Sequence, residues 1–544
     1  MTSRVGFQPK GHEPIADRGG QFTTAPTRRS ERRHVASGTG PAMLVVGLLL
    51  VAAVTHAWGM TRSPVRIDDE GTYVAQAWAV QHWHALAHYT YWYDHPPLGW
   101  IQMALWTWPT RAFERVPYAV VAGREAALVA KLVSCWLLYV LARRLAFGRG
   151  AATAAVLLLV LNPLALNFQR MALLDNLAIP WLLAAFVLAA SPGGRLAAFA
   201  MSGVCFGAAV LTKETTLILL PALLWLLWRT SHPETRGFAV TLSMALLASA
   251  GGLYVLYAAI KNELLEGPGH VSLLWAAQWQ LFSRPSSGSL LDPASPARAV
   301  VQTWTDLDPW LLGAAVILTP AGLAVRRLRP VTLAFAIQVA MLLRNGYLPY
   351  PYVIAMLPFG ALVVAGVGDA LWARGTKRAR LAWRVPVVAS VAACSLLIGP
   401  AWADGIHEQL TVNRDAGMQA ASAWIDGHVG RDRRVVVDDS LWVDLVEMGF
   451  DPHRREVIWF YKLDLDPAVR VPGGWRGIDY LVLGQVSKEA LANSPTLRGA
   501  LSHSKVVASF GRGSDAVTVR QVLKRRPPKK ARARQPAPVS GDAR

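Results

Sequence analysis

The chain turns on the run "AMLVVGLLLVAAVTHAWGM", Ala42–Met60, and on the stretch just after it, "VRIDDEGTYVAQAWAV", Val65–Val80. The first is 19 residues without a charged side chain, close to the about 20 needed to cross a bilayer. The second places Asp68, Asp69 and Glu70 in a row where such a helix would leave the membrane. A soluble core helix has no reason to end on three carboxylates, because uncompensated charge is expensive beside apolar surface. The remainder of the chain explains the first run and raises the question of the second.

Apolar runs of this kind recur along most of the 544 residues, and 53% of the chain is hydrophobic. This composition predicts a polytopic α-helical membrane protein. About eleven transmembrane helices are expected, at 42–60, 125–142, 151–168, 176–190, 196–211, 214–228, 237–260, 309–325, 330–343, 351–373 and 385–403. The shorter apolar stretch Pro96–Trp108 reads as an interfacial helix. The net charge of +20 suggests nucleic acid until its placement is considered. Residues 1–40 hold seven Lys/Arg against three acids, and 524–544 hold eight against one. Two basic tails therefore carry +4 and +7, more than half of the excess, and no nucleic-acid partner is expected. Cys135, Cys205 and Cys394 all lie inside apolar runs, so neither a disulfide framework nor a zinc cluster is expected.

Orientation follows from the basic residues. One set of loops holds Arg143, Arg144 and Arg149, then Arg195, Arg229 and Arg236, Arg326, Arg327 and Arg329, and the cluster from Arg374 to Arg384. The loops on the other side carry single cations, Arg170, Lys213 and Arg344. The positive-inside rule puts the first set and the N-terminus in the cytoplasm of a plasma membrane, and the acid triplet outside. The expected domains are a disordered basic tail 1–41, a transmembrane module 42–403 with a first outer loop at 61–124, an extracytoplasmic α/β domain 404–523, and a disordered tail 524–544. Strands are predicted at "RVVVDD" (434–439), "EVIWFY" (456–461), "DYLVLG" (479–484), "KVVASF" (505–510) and "AVTVRQV" (516–522), with helices near 440–449 and 486–503.

Ionisable residues at the outer ends of spans are costly and call for a function. They are the acid triplet, Asp94–His95, Arg124, Arg170 with Asp175, Lys213–Glu214, and Arg344. Carboxylates with several cations around one cavity suit a reaction in which a base removes a proton while a phosphate departs with its charge met. The bland readings stand beside this one: Arg124 and Arg170 as snorkelling anchors, Lys213–Glu214 as a local ion pair, and His84 and His88 as an interfacial face and not metal ligands.

Taken in order, "DDEGTY", "YDHPPLGW", "GREAALVAKL", "QRMALLDN" and "LTKETTLILLP" resemble the ordered motifs of the GT-C glycosyltransferases. The resemblance is to the branches like the protein O-mannosyltransferases and the aminoarabinose transferases, which use a polyprenyl-phosphate-linked sugar. It covers roughly residues 42–373 and leaves out 404–523. It implies an inverting transfer to an acceptor hydroxyl outside the cell, with the acceptor a protein, lipid or glycan. Asp69 and Glu70 match the family's catalytic Asp-Glu, with Asp69 as general base and Asp68 an extra acid. Asp175 matches a second acidic position. His95, Arg124, Arg170, Lys213 and Arg344 are the implied holders of the donor phosphate. "RNGYLPYPYVIAMLPF" departs from the family pattern by placing Asn345–Gly346 between Arg344 and Tyr347. No cofactor is certain, and a divalent metal beside the acids stays open. A transporter or flippase of lipid-linked saccharides is the alternative. It predicts related halves and charges near the midplane; the chain shows no repeat, and its charges sit at helix ends.

Overall fold

The computed structural model describes residues 39–374, 380–484, 488–513 and 516–524. The basic tails and residues 375–379 of the basic loop fall outside this description. The described residues from Leu44 onward belong to one unit.

Helices occupy all eleven apolar segments, from Thr39–Ala57 to Arg380–Thr411. Among the described residues four stretches are long and apolar enough to cross a bilayer unaided: Ala119–Arg144, Arg236–Ile260, Tyr350–Trp372 and the stretch opening at Arg384. A fifth arises if Pro296–Leu307 and Trp310–Ala324, bent by 104°, are one broken span. Other apolar helices have 10–17 residues. One expected span, 151–168, is two helices, Arg149–Val160 and Pro163–Phe168. The break has a local cause. Pro163 has no N–H to continue the ladder, and the Asn162 side chain accepts from Ala165 N–H to cap the next helix.

Burial separates two kinds of helix. Ala119–Arg144 and Val353–Trp372 are mostly enclosed, whereas Arg236–Ile260 and Arg380–Thr411 expose Phe238, Leu253, Ile260, Val388, Leu396 and Leu397. Apolar side chains exposed along whole helices fit hydrocarbon and not water. Small residues let neighbouring helices touch: a Cβ on Gly203 would lie 2.3 Å from Ser243 O. The segment read as interfacial is the helix Leu98–Thr110. It buries Trp100, Met103, Ala104 and Thr107 on one face and exposes Leu105 and Trp108 on the other.

All five predicted strands form: β1 Val435–Val437, β2 Val457–Trp459, β3 Tyr480–Leu483, β4 Ser504–Phe510 and β5 Val517–Val522. They make one sheet in the order β2-β1-β3-β5-β4. β1 lies parallel to β2 and β3, while β5 runs antiparallel to β3 and β4. The three valines of β1 are wholly buried, as expected of a central parallel strand. The helix Asp439–Glu447 follows β1, its first turn capped by the Asp438 carboxylate accepting from Ser440 N–H. The expected helix at 486–503 is divided into Lys488–Asn493 and Pro495–Ser502, and Ala416–His428 is a further helix not anticipated.

Candidate active site

The helix Asp68–Trp83 begins on its three acids, where the helix N-terminus favours negative charge. Successive helical residues are turned by about 100°, so the three carboxylates point three ways. Asp68 faces the sheet domain and accepts a hydrogen bond of 3.1 Å from Asp439 N–H. Burial, with Asp438 and Asp439 beside it, raises its pKa well above the ordinary carboxylate value. Glu70 faces the helix bundle and is fully buried. It takes both edges of Arg124, at 2.7 and 2.8 Å, and the Ala172 N–H at 2.8 Å. Asp69, between them, is exposed and accepts no hydrogen bond among the described residues.

A second group of charges gathers near Asp69. His95 Nδ1 lies 3.0 Å from Glu214 Oε2, and Lys213 Nζ lies 3.1 Å from His95 Nε2. An ammonium only donates, so Nε2 accepts and Nδ1–H donates to Glu214. Asp175, in the first turn of Leu174–Ala189, is buried, and its Oδ2 has no partner among the described residues. Lys213 links the helix Leu196–Thr212 to the turn Glu214–Leu219. Burial works against its charge, but Asp175, Glu214, Asp69 and Asp94 outweigh that and raise its pKa above the ordinary lysine value. A narrow crevice behind Asp175 is lined by Ile179, Thr216, Leu219, Gln338 and Tyr352.

One cation here carries no motif. Arg284 lies flat on Tyr347, its guanidinium carbon 3.4 Å from the ring centroid. Nη1 donates to Gln280, whose amide donates in turn to the Asp94 carbonyl. The Tyr347 hydroxyl lies within the electrostatic reach of Asp69 and Lys213, which ties Arg284 to the same site. In the sequence it is a lone arginine after "WQLFS". Only its company of aromatics, Trp275, Trp279 and Phe282, sets it apart.

Three of the expected site residues are engaged by the protein itself. Arg124, expected to hold a phosphate, gives two further donors to Met60 O and Pro64 O. Arg170 is buried and donates to the carbonyls of Gln409, Thr55 and Trp58. Glu70, expected beside the base, is locked in the Arg124 pair. Glu70 and Arg124 cannot turn to a ligand without leaving another polar group bare, while Arg170 keeps a buried Nε without a partner among the described residues. Arg344 is exposed and makes no side-chain hydrogen bond among the described residues, with its guanidinium over Gly346. Among the described residues no three His, Cys, Asp or Glu side chains are grouped to hold a metal ion. His84 is exposed, while His88 is buried with its Nε2 3.0 Å from Asp439.

Residues 105–257 match the family model for dolichyl-phosphate-mannose-protein mannosyltransferase. No curated protein matches the chain. Its fold is similar to that of solved glycosyltransferases, the class its motifs resemble. It is similar to ArnT from Cupriavidus metallidurans bound to undecaprenyl phosphate, at 18% identity and a TM-score of 0.52, over 89% of this chain and 99% of that one. The apo state of that ArnT matches at 16% identity with the same TM-score, over 89% and 98%. The oligosaccharyltransferase of Archaeoglobus fulgidus, tethered to an acceptor peptide, matches at 10% identity and a TM-score of 0.51, over 88% and 74%. At such identities the likeness is one of fold.

Proposed function

We propose that the protein moves a sugar from a polyprenyl-phosphate donor to an acceptor hydroxyl on the outer face of the plasma membrane. One observation carries the reading. Of three adjacent carboxylates, Asp69 alone is exposed and free of partners among the described residues, and it is within electrostatic reach of Lys213. A general base needs an accessible lone pair, and a departing phosphate needs a cation.

In this reading Asp69 takes the proton of the acceptor hydroxyl as its oxygen attacks the anomeric carbon. The bond from that carbon to the phosphate oxygen breaks on the opposite face, and its electron pair leaves with the phosphate. The configuration is inverted. Lys213 and Arg284 meet the phosphate charge, with Arg344 at the rim. Charge-assisted contacts are shorter and roughly twice as strong as neutral ones, and with them the phosphate leaves without a separate general acid. Asp175 and His95, which bridges Lys213 to Glu214, hold the ammonium in place. The undecaprenyl phosphate bound by the similar ArnT supports a lipid-phosphate donor.

The same reading keeps the eleven-span module 42–403 with a cytoplasmic N-terminus and puts residues 404–523 outside. Cysteine labelling of intact cells tests the orientation: Arg512→Cys should react with an impermeant reagent and Glu234→Cys should not. The reverse pattern overturns the topology. The function is tested by supplying purified protein with a labelled polyprenyl-phosphate sugar. Transport of the lipid without cleavage of its sugar–phosphate bond would replace this reading with a flippase.

A further inference from the structure

The sheet domain lies outside the segment matched by the mannosyltransferase model, yet it holds the loop that carries the proposed base. Three attachments do this. Arg66, two residues before the acid triplet, reaches Asp415 at 2.7 Å and Asp444 at 2.8 Å, with all three side chains buried. Gly71 then packs onto the backbone after β1, so closely that a Cβ there would lie 2.1 Å from Ser440 N. The adjacent Asp439 N–H donates to Asp68, and the Asp439 carboxylate takes His88, from beyond the helix, at 3.0 Å. The third attachment is Asp466, which is 3% exposed. Its Oδ1 accepts from Thr90 Oγ1 at 2.7 Å and Ala468 N–H at 2.9 Å, and its Oδ2 accepts from the Trp92 indole at 2.8 Å. Lys462 completes this attachment, 3.4 Å from Asp466 and 3.6 Å from the Trp92 ring centroid.

These attachments fall beside the chemistry. Asp69 lies between Asp68 and Gly71, and Asp94–His95 follows Trp92 after one residue. The chain doubles back after the helix, bringing the His95 ring within 6.0 Å of Tyr73, one helical turn from Asp69. The sheet domain spans that return, with Asp439 holding its start at His88 and Asp466 its middle at Thr90 and Trp92.

We propose that Asp439 and Asp466 are positioning residues for glycosyl transfer, clamping the two limbs of the first loop so that His95 and Lys213 stay in register with Asp69. This rests on the function proposed above. Neither residue touches a reacting atom. Each acts through the segment it holds, and small misplacements of reacting groups can cost on the order of 100-fold in rate.

The test uses the full-length protein and the variants Asp466→Asn and Asp439→Ala. At 466 an amide keeps the carboxylate's size but turns a donor toward Trp92 or toward the Ala468 N–H, so one hydrogen bond of the attachment is lost, and alanine at 439 removes the acceptor of His88. We expect kcat per folded molecule to fall about tenfold or more, with donor KM within about twofold. Amide hydrogen exchange over residues 84–95 should accelerate while Ala119–Arg144 stays protected. A role in stability alone would lower the yield of folded protein and leave kcat per folded molecule unchanged. If Asp466→Asn does not fold, Trp92→Phe removes one donor from the loop side, and the same readouts apply. Unchanged exchange in 84–95, or faster exchange with wild-type kcat, overturns the clamp. Turnover by Asp69→Asn would sink the assignment of the base instead, a result the exchange measurement cannot mimic.

Discussion

Two groups of charge sit at the ends of the apolar helices, and they are built on opposite plans. In the first, Glu70, Arg124 and Arg170 are buried, and nearly every donor and acceptor is met by protein. In the second, Asp69 is exposed and unpaired among the described residues, Asp175 keeps an orphaned oxygen, and Lys213 and Arg284 lie nearby. The closed group resembles a rivet: desolvating those charges is tolerable only because geometry and hydrogen bonds offset the cost. The open group is incomplete, as a site must be if a ligand is to complete it. A charge at a membrane edge is therefore weak information by itself. Whether its hydrogen bonds are already taken is what separates scaffold from chemistry.

The largest test of this contrast is Asp69→Asn. Loss of a general base typically costs on the order of 10²–10⁴ in rate, and because Asp69 holds nothing together the thermal midpoint should not move. A variant with wild-type turnover, or one that fails to fold, breaks the comparison at its centre. Arg124→Ala should do the reverse, stranding a buried carboxylate. About 3–5 kcal/mol of stability should go, read as a large fall in the thermal midpoint in detergent. A folded Arg124→Ala with only a raised donor KM would return that residue to the phosphate. Arg170→Ala should follow Arg124→Ala in kind.

Lys213→Ala comes next. A hydrogen bond to a charged group is worth about 1.5–3 kcal/mol, so donor KM or kcat/KM should worsen roughly 10- to 100-fold, with acceptor KM little changed. Arg284→Ala should match it in direction, and a defect confined to the acceptor would withdraw both from the phosphate. Arg344→Ala should be mildest. As an exposed residue with no side-chain hydrogen bond among the described residues, it should change stability by less than about 0.5 kcal/mol and donor use only slightly. A loss equal to that of Lys213→Ala would move Arg344 from the rim into the site.

The apolar runs, the five strands and the list of polar residues at helix ends were all legible in one dimension, because each is a local matter. A bilayer demands a long apolar run, a central parallel strand such as Val435–Val437 demands buried valines, and Asn162–Pro163 announces its own break to a reader who allows it. What Asp68, Asp69 and Glu70 each do was not legible. Adjacent helical residues differ by about 100° in direction, so their partners lie on three separate parts of the chain. Glu70 meets Arg124 54 positions away, and Asp68 meets Asp439 371 positions away. The motifs brought the acid triplet to notice, and among the described residues Asp69 is the one of the three left exposed and without a partner. They could not show that Arg124 and Arg170 were already engaged, that Arg284 stacks on Tyr347, or that the sheet domain grips the first loop. Those outcomes belong to tertiary structure, because a side chain's hydrogen-bonding capacity is finite and only the folded chain decides which atoms use it up.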